Sequence, residues 1–282
     1  MTSTSLAPDR PTASRRSVRG GLPLTRVSGL GLGVATLWFS LLVLIPLTAV
    51  VVTASEGGWG GFWQAVTNPQ STAAIRLTVG TAFLVTLVNI VMGPLIAWVL
   101  VRDRFAGRRA LEILIDVPFA LPTIVAGLVL LSLYGPDSPL GVNIANTRVA
   151  VFLAFLFVTL PFIVRTVQPV LAELDPEVEQ AAASLGASRF TTFRRIILPS
   201  LTPAIAAGAA LSFARAVSEY GSLVLLSGNL PMRTEVASVR ILGSIENDSP
   251  ESAAAVAAVL LVVSLAVIVV LDLLQRGVVR RG

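Results

Sequence analysis

Residues 171–199 read LAELDPEVEQAAASLGASRFTTFRRIILP and lie between two long apolar runs. Asp175 followed by Pro176 marks a helix start: a side-chain acceptor at the cap, then a residue whose missing N–H costs nothing in the first turn. Glu177 and Glu179 follow at the positive end of the helix dipole, and AAASL at 181–185 carries the helix on. Gly186 can take the left-handed conformation that ends it. Ser188 can cap a second short helix with Arg194 and Arg195 near its negative end, and Pro199 closes the stretch. The predicted unit is helix, glycine turn, helix. An amphipathic pair that merely caps a bundle at a membrane surface has the same pattern, so the pattern alone assigns no role.

What flanks this unit sets its surroundings. Of the 282 residues 54% are hydrophobic and 13% charged, with mean hydropathy +0.82, too apolar for a soluble chain of this length. Crossing the hydrocarbon takes roughly 20 apolar residues in a helix. Runs at about 27–54, 72–101, 110–135, 148–170, 200–227 and 252–275 meet that length. The expectation is an all-α membrane protein with six transmembrane helices in a domain over 27–276. A tail over 1–26, rich in Ser, Thr, Pro and Arg, should be disordered, and a short tail over 277–282 follows. The first run is too long for the apolar core of a cleaved signal. Pro46, Pro94, Pro118, Pro122, Pro161 and Pro203 fall inside these runs, where neighbouring helices can satisfy the freed carbonyls. Gly29, Gly33 and AAGAA at 206–210 offer small faces for close packing.

Arginine placement orients the chain. Residues 10, 15, 16, 19, 26, then 102, 104, 108, 109, then 189, 194, 195, then 276, 280, 281 put fifteen arginines on one side. Arg76, Arg148, Arg233 and Arg240 put four on the other. Both termini are therefore expected in the cytoplasm, which requires an even number of spans. A net charge of +5 raises nucleic acid as a partner, but the arginines sit in short clusters between apolar runs and form no continuous patch. With no His and no Cys, the commonest metal ligand, general base and thiolate chemistry are missing, and no metal site is expected. The remaining Asp, Glu and Ser form no recognisable catalytic constellation, which weakens an intramembrane enzyme. A scaffold would need neither the helix–glycine–helix unit nor charges inside spans.

Charges inside spans are expensive in lipid and read as functional by default. Arg165 falls in the fourth run, Arg215 and Glu219 in the fifth. Four residues apart on one helix, Arg215 and Glu219 can pair. They are either a structural pair or a functional one, and Arg165 is either functional or snorkels to the near interface. Glu112 and Asp116 are expected to pair with Arg104, Arg108 or Arg109. Trp38, Trp59, Trp63 and Trp98 are expected near span ends, with Trp59, Phe62 and Trp63 in the headgroup region. The longer external loops are expected at 56–71, 136–147 and 228–251.

Within 171–199, Ala181-Ala182, Gly186, Ile196, Leu198 and Pro199 resemble the EAA motif of binding-protein-dependent ABC importer permeases. The chain departs at the motif's first position, where Gln180 replaces Glu and Glu179 stands one residue earlier. LVRDRFAGRR, DVPFALPTIVAG, VTLPFIVRTVQPVL, FARAVSEYGS and GNLPMRTE, in this order, resemble the T/U-type permease subunits of sulfate/thiosulfate importers over about residues 30–276. Molybdate and tungstate permeases are the competing resemblance; they share the FAR…GE[FY]G segment, where this chain has Ser218 for the usual glycine.

The resemblance implies the type I ABC importer permease fold and a cytoplasmic coupling loop at 171–199. In it, Gln180, Ala181, Ala182, Leu185, Gly186, Ile196, Leu198 and Pro199 would meet an ATPase subunit. Path candidates are Arg215, which would ease a dianion through, Glu219, which would hold its side chain when the path is empty, and Arg165. The implied partners are a second, homologous permease subunit, two ATP-binding subunits, an extracytoplasmic sulfate-binding protein and membrane lipid, in a bacterial cytoplasmic membrane. ATP and Mg would belong to the partner ATPase, since a chain without Lys has no GxxxxGK[ST] loop, and no cofactor is expected in this chain.

Overall fold

A computed structural model describes residues 26–279, and every regular element among them is helical. The tails expected at 1–26 and 277–282 lie outside the described residues, apart from Arg26 and residues 277–279 at the ends of helices. The chain forms two units, residues 1–47 and 48–282. In the first, α1 (Arg26–Phe39) continues through a five-residue π turn (Ser40–Leu44) into the start of α2 (Ile45–Glu56). Gly29 and Gly33, expected to be packed, have open space where a side chain would sit.

In the second unit the rest of α2 is followed by α3 (Gly58–Thr67), on which Trp59, Phe62 and Trp63 stack at centroid separations of 5.8–6.5 Å. The expected loop 56–71 is thus largely helix. Asn68 stops α3 and starts the next helix, its Oδ1 accepting the Ser71 N–H at 2.8 Å. From there α4 (Pro69–Arg102) runs 34 residues with Pro94 inside it. Its buried residues, among them Ala74, Thr78, Ala82, Val85, Asn89, Gly93, Ala97 and Leu100, recur every three or four positions and form one face. That face meets α10 (Leu198–Val217), whose buried face also holds Ala204, Gly208, Ala209, Ser212 and Ala216, and α7 (Arg148–Glu173), which brings the larger Val, Ile, Phe and Leu side chains. In lipid, helices associate by packing and polar contacts, so small residues that admit close approach belong at such interfaces.

Ile163 of α7 shows how close. A Cβ added to Gly93 would stand 2.8 Å from its Cβ, and one added to Gly208 would stand 2.9 Å from its Cα. One turn away, Asn89 donates to Thr159 at 2.8 Å and to Ser212 at 3.0 Å, joining all three helices through fully buried groups. These contacts pair rising numbers on α4 with rising numbers on α7 and falling numbers on α10. So α4 and α7 run parallel, with α10 antiparallel to both.

This has a topological consequence. Because α4 and α7 are parallel, the chain between them must return across the bundle. The span expected at 110–135 is not one helix. It is α5 (Arg108–Ala120) and α6 (Thr123–Tyr134), bent by 120° at Leu121–Pro122. Pro118 is tolerated inside α5, but Leu121, the residue before Pro122, is driven to extended backbone (ψ 134°) and the helix stops. Among the described residues, five single helices are long and apolar enough to cross a membrane, six spans if the bent pair counts as one.

The span expected at 200–227 also breaks: α10 ends at Val217, and a short helix α11 (Gly221–Leu226) follows. The two breaks meet. A Cβ on Gly221 would stand 2.9 Å from the backbone nitrogen of Ile124, and one on Gly127 would stand 2.8 Å from the Cα of Ser222. The expected loop 228–251 contains α12 (Ala237–Glu246), and α13 (Pro250–Val279) completes the unit.

Candidate functional site

Residues 171–199 fold largely as their capping signals dictate. The helix α8 (Pro176–Ser184) starts on Asp175, whose Oδ1 accepts the Glu177 N–H at 2.8 Å. At its far end Ala187 donates to the Ala182 carbonyl and Gly186 to the Ala183 carbonyl, both at 3.0 Å. This nested pair of bonds needs a left-handed residue at its corner, and Gly186 supplies it with φ +81°. Ser188 caps α9 (Arg189–Thr192) by accepting the Thr191 N–H at 3.2 Å.

The second helix does not end at Pro199. A π turn (Phe193–Ile197) joins α9 to α10, so that Arg189–Val217 is one helix and Arg194 and Arg195 sit within it. Pro199 therefore stands inside a continuous helix, where its ring nitrogen donates no backbone bond, and the wide turn just before it carries the chain past that missing bond without a stop.

The side chains of the loop divide. Leu185 is 89% exposed and Phe190 70%, while Gln180, Ala181 and Gly186 are also exposed. Ala182 is buried, Ile196 half-buried, and Leu198 and Pro199 exposed at the start of α10. The loop is fastened by a contact that sequence reading missed. Glu179 pairs with Arg102, the last residue of α4, at 2.5 Å. Arg102 also lies 5.9 Å from the Trp98 ring, which meets Phe193 edge-on. Gln180 occupies the motif's acidic position, yet the carboxylate one residue earlier reaches an arginine. The signal was available: an acid in the loop and an arginine closing a span on the same side.

Arg215 and Glu219 do meet, at 2.6 Å, but not within one helix. Glu219 stands in the break after α10, fully buried, with its Oε1 accepting both the backbone N–H and the hydroxyl of Ser222 at 2.9 Å. Its backbone carbonyl accepts from the Ser238 hydroxyl at 2.7 Å. A side chain that satisfies the first donors of α11 offers the backbone an alternative to continuing α10. Oε2 faces Arg215 in ion-pair distance without the alignment of a hydrogen bond. Glu219 is therefore fixed, and Arg215, whose side chain retains 28% exposure, is the freer partner.

Arg165 is not free. Its guanidinium takes Asp116 with two nitrogens, Nε to Oδ1 at 2.7 Å and a second contact through Nη2. It also donates to Gln168 at 2.7 Å and to the Glu112 carbonyl at 3.2 Å. It thereby clamps α7 to α5, and the expected pairing of Asp116 with Arg104, Arg108 or Arg109 is corrected; only Glu112 follows that expectation, through Arg108 at 3.1 Å. Arg215 and Arg165 lie in separate sites.

Comparison with known proteins agrees with this architecture. Residues 89–281 match the family described as binding-protein-dependent transport system inner membrane component. The chain is 42% identical over 259 residues to the sulfate transport system permease protein CysT of Salmonella typhimurium, covering 89% of this chain and 94% of that protein. It is 46% identical over 251 residues to CysT of Synechocystis, covering 86% and 88%. Among solved structures, the bacterial alginate ABC transporter in complex with alginate pentasaccharide-bound periplasmic protein superposes with TM-score 0.73 at 18% identity, over 89% of this chain and 94% of that one.

Proposed function

The chain belongs to the family of binding-protein-dependent transport system inner membrane components, and from that premise we propose that it is the membrane-spanning permease subunit of an ATP-driven sulfate importer. One observation carries the reading: the chain is 42–46% identical to sulfate permeases over 86–89% of its length. The loop is the coupling element. Leu185, Phe190, Ala181 and the glycine corner would dock on an ATPase subunit, which binds ATP and Mg. Closure of two such subunits would move α8, and α8 would move α4 through Glu179 and Arg102. A second, homologous permease subunit completes the path, and an extracytoplasmic binding protein delivers the ion. Both termini lie in the cytoplasm, consistent with the arginine count and with the bent pair crossing once, in a bacterial inner membrane.

Arg215 is the residue we assign to the passing anion. Glu219 is anchored by Ser222, so an oxyanion entering beside it competes with an immobile carboxylate for a movable guanidinium. A permanent, unopposed cation would hold a dianion too tightly to release it. Because the Arg215–Glu219 approach lacks hydrogen-bond alignment, the guanidinium can be exchanged without breaking a directed bond. The test is uptake of labelled sulfate in a strain lacking its own permease, complemented by this chain and its partners, with thiosulfate and molybdate as competitors. Sulfate uptake that molybdate leaves unaffected supports the reading. Molybdate uptake in preference to sulfate, or no uptake with all partners present, refutes it.

A further inference from the structure

At the end of the bundle that carries α8, a cleft of about 580 Å³ opens between the ends of α4 and α7 and the start of α5. We infer that it binds a tetrahedral oxyanion, sulfate or phosphate, either free or carried on a lipid headgroup. Its lining holds Arg102, Arg108, Arg165 and the amide of Gln168, and no carboxylate. The three acids that pair with these arginines, Glu179, Glu112 and Asp116, stand outside the lining. Each arginine's charge is thus met by an acid, and what the cleft offers an anion is the N–H donors that these pairs leave over.

Donors remain to be used. Arg102 spends one terminal nitrogen on Glu179 and keeps the other. Arg108 spends only its Nε, on Glu112, leaving both terminal nitrogens. The start of α5 adds to this: Gly107 caps it with no side chain, and its first turn holds Arg108 and Arg109 with no acid. A helix start so built is electropositive twice over, from its own dipole and from its arginines, and an anion relieves both. Arginine's planar fork suits the oxygens of sulfate and phosphate, and basic recesses between transmembrane helices are also where anionic headgroups lodge. The site is independent of Arg215 and of which ion the bundle carries.

The test uses the full-length chain purified in detergent, in the wild-type and Arg215→Gln backgrounds so that the proposed path makes no contribution. Inorganic sulfate and inorganic phosphate are the free probes, measured by equilibrium binding. Retention of phosphatidylglycerol against phosphatidylcholine, read by native mass spectrometry, is the lipid probe. Arg108→Gln is the variant of choice, since its helix-surface pair with Glu112 contributes little to folding; Arg109→Gln, in the same turn but outside the lining, is the control. Saturable sulfate binding in which phosphate competes, weakened roughly tenfold by Arg108→Gln and unchanged by Arg109→Gln, supports a free-ion site. Phosphatidylglycerol retained by wild type and by Arg109→Gln but lost from Arg108→Gln supports a headgroup site. Equal weakening by both variants, which is diffuse attraction, overturns the inference, as does the absence of binding by all probes.

Discussion

Changing Glu179 to Gln and Arg102 to Gln, singly and together, probes whether α8 is mechanically joined to α4. The contact is 2.5 Å, and the side chains of Arg102 and Glu179 keep 21% and 31% exposure. An exposed pair contributes ~0.2–1 kcal/mol, and breaking a buried one by removing a single partner costs ~3–5 kcal/mol. With this much solvent access the interaction belongs near the lower range, at about 1 kcal/mol, a factor of roughly five. Arg102→Gln also loses the Trp98 ring, a further ~0.5–1 kcal/mol. Two assays read the effect. In the purified chain, amide exchange across residues 177–185 should quicken about fivefold in Glu179→Gln and rather more in Arg102→Gln. In the complex reconstituted with its ATPase, sulfate moved per ATP hydrolysed should fall in the same order. The double variant should be no worse than Arg102→Gln alone, since one interaction is lost only once. Strictly additive effects, or exchange rates unchanged in both single variants, would refute the join.

Three further outcomes are expected. Gly186→Pro should leave ATP hydrolysis running but abolish sulfate transport, because proline cannot adopt φ +81° or donate to the Ala183 carbonyl, while Gln180→Ala should change neither by more than about 0.5 kcal/mol. Gly208→Ala should force α10 off Ile163 and lower stability by about 1–3 kcal/mol, measured as a drop in thermal midpoint in detergent. Arg215→Gln should remove sulfate uptake and destabilise the bundle by leaving the Glu219 charge buried and unpaired; uptake should not return with Glu219→Gln added if Arg215 contacts the ion, although stability should.

How much of this was legible depended on how local the cause was. The start of α8 at Asp175 and its end at Gly186 are written in neighbouring residues, and the structure repeats them. The long apolar runs likewise announce α4, α7, α10 and α13. Pro122 was read as tolerable because bundled membrane helices often absorb proline, and Pro94, Pro118 and Pro161 are indeed absorbed. What separates Pro122 is tertiary: Gly127 and Gly221 let α6 and α11 approach at their breaks, so the bend is favoured from a partner 100 residues away in sequence. Glu219 was read as helical because its spacing from Arg215 fits a helix, and the competing bonds to Ser222 follow only once the chain has turned. Asp116 finding Arg165 rather than a nearer arginine is again a matter of which helices lie side by side.

The π turn at Phe193–Ile197 acts as a phase adjuster for everything after it. A helix advances about 100° per residue, so a turn holding one residue more than the α pattern rotates the downstream face by that amount relative to the upstream one. Upstream is the loop capped by Ser188; downstream, Gly208 meets Ile163 and Ser212 meets Asn89. Deleting one residue inside this turn would let it close as ordinary α and keep Gly208, Ser212 and Arg215 facing their partners, whereas the same deletion between Leu198 and Gly208 would point them about a quarter-turn astray. The wide turn is the one place in this helix where a change of length can be absorbed.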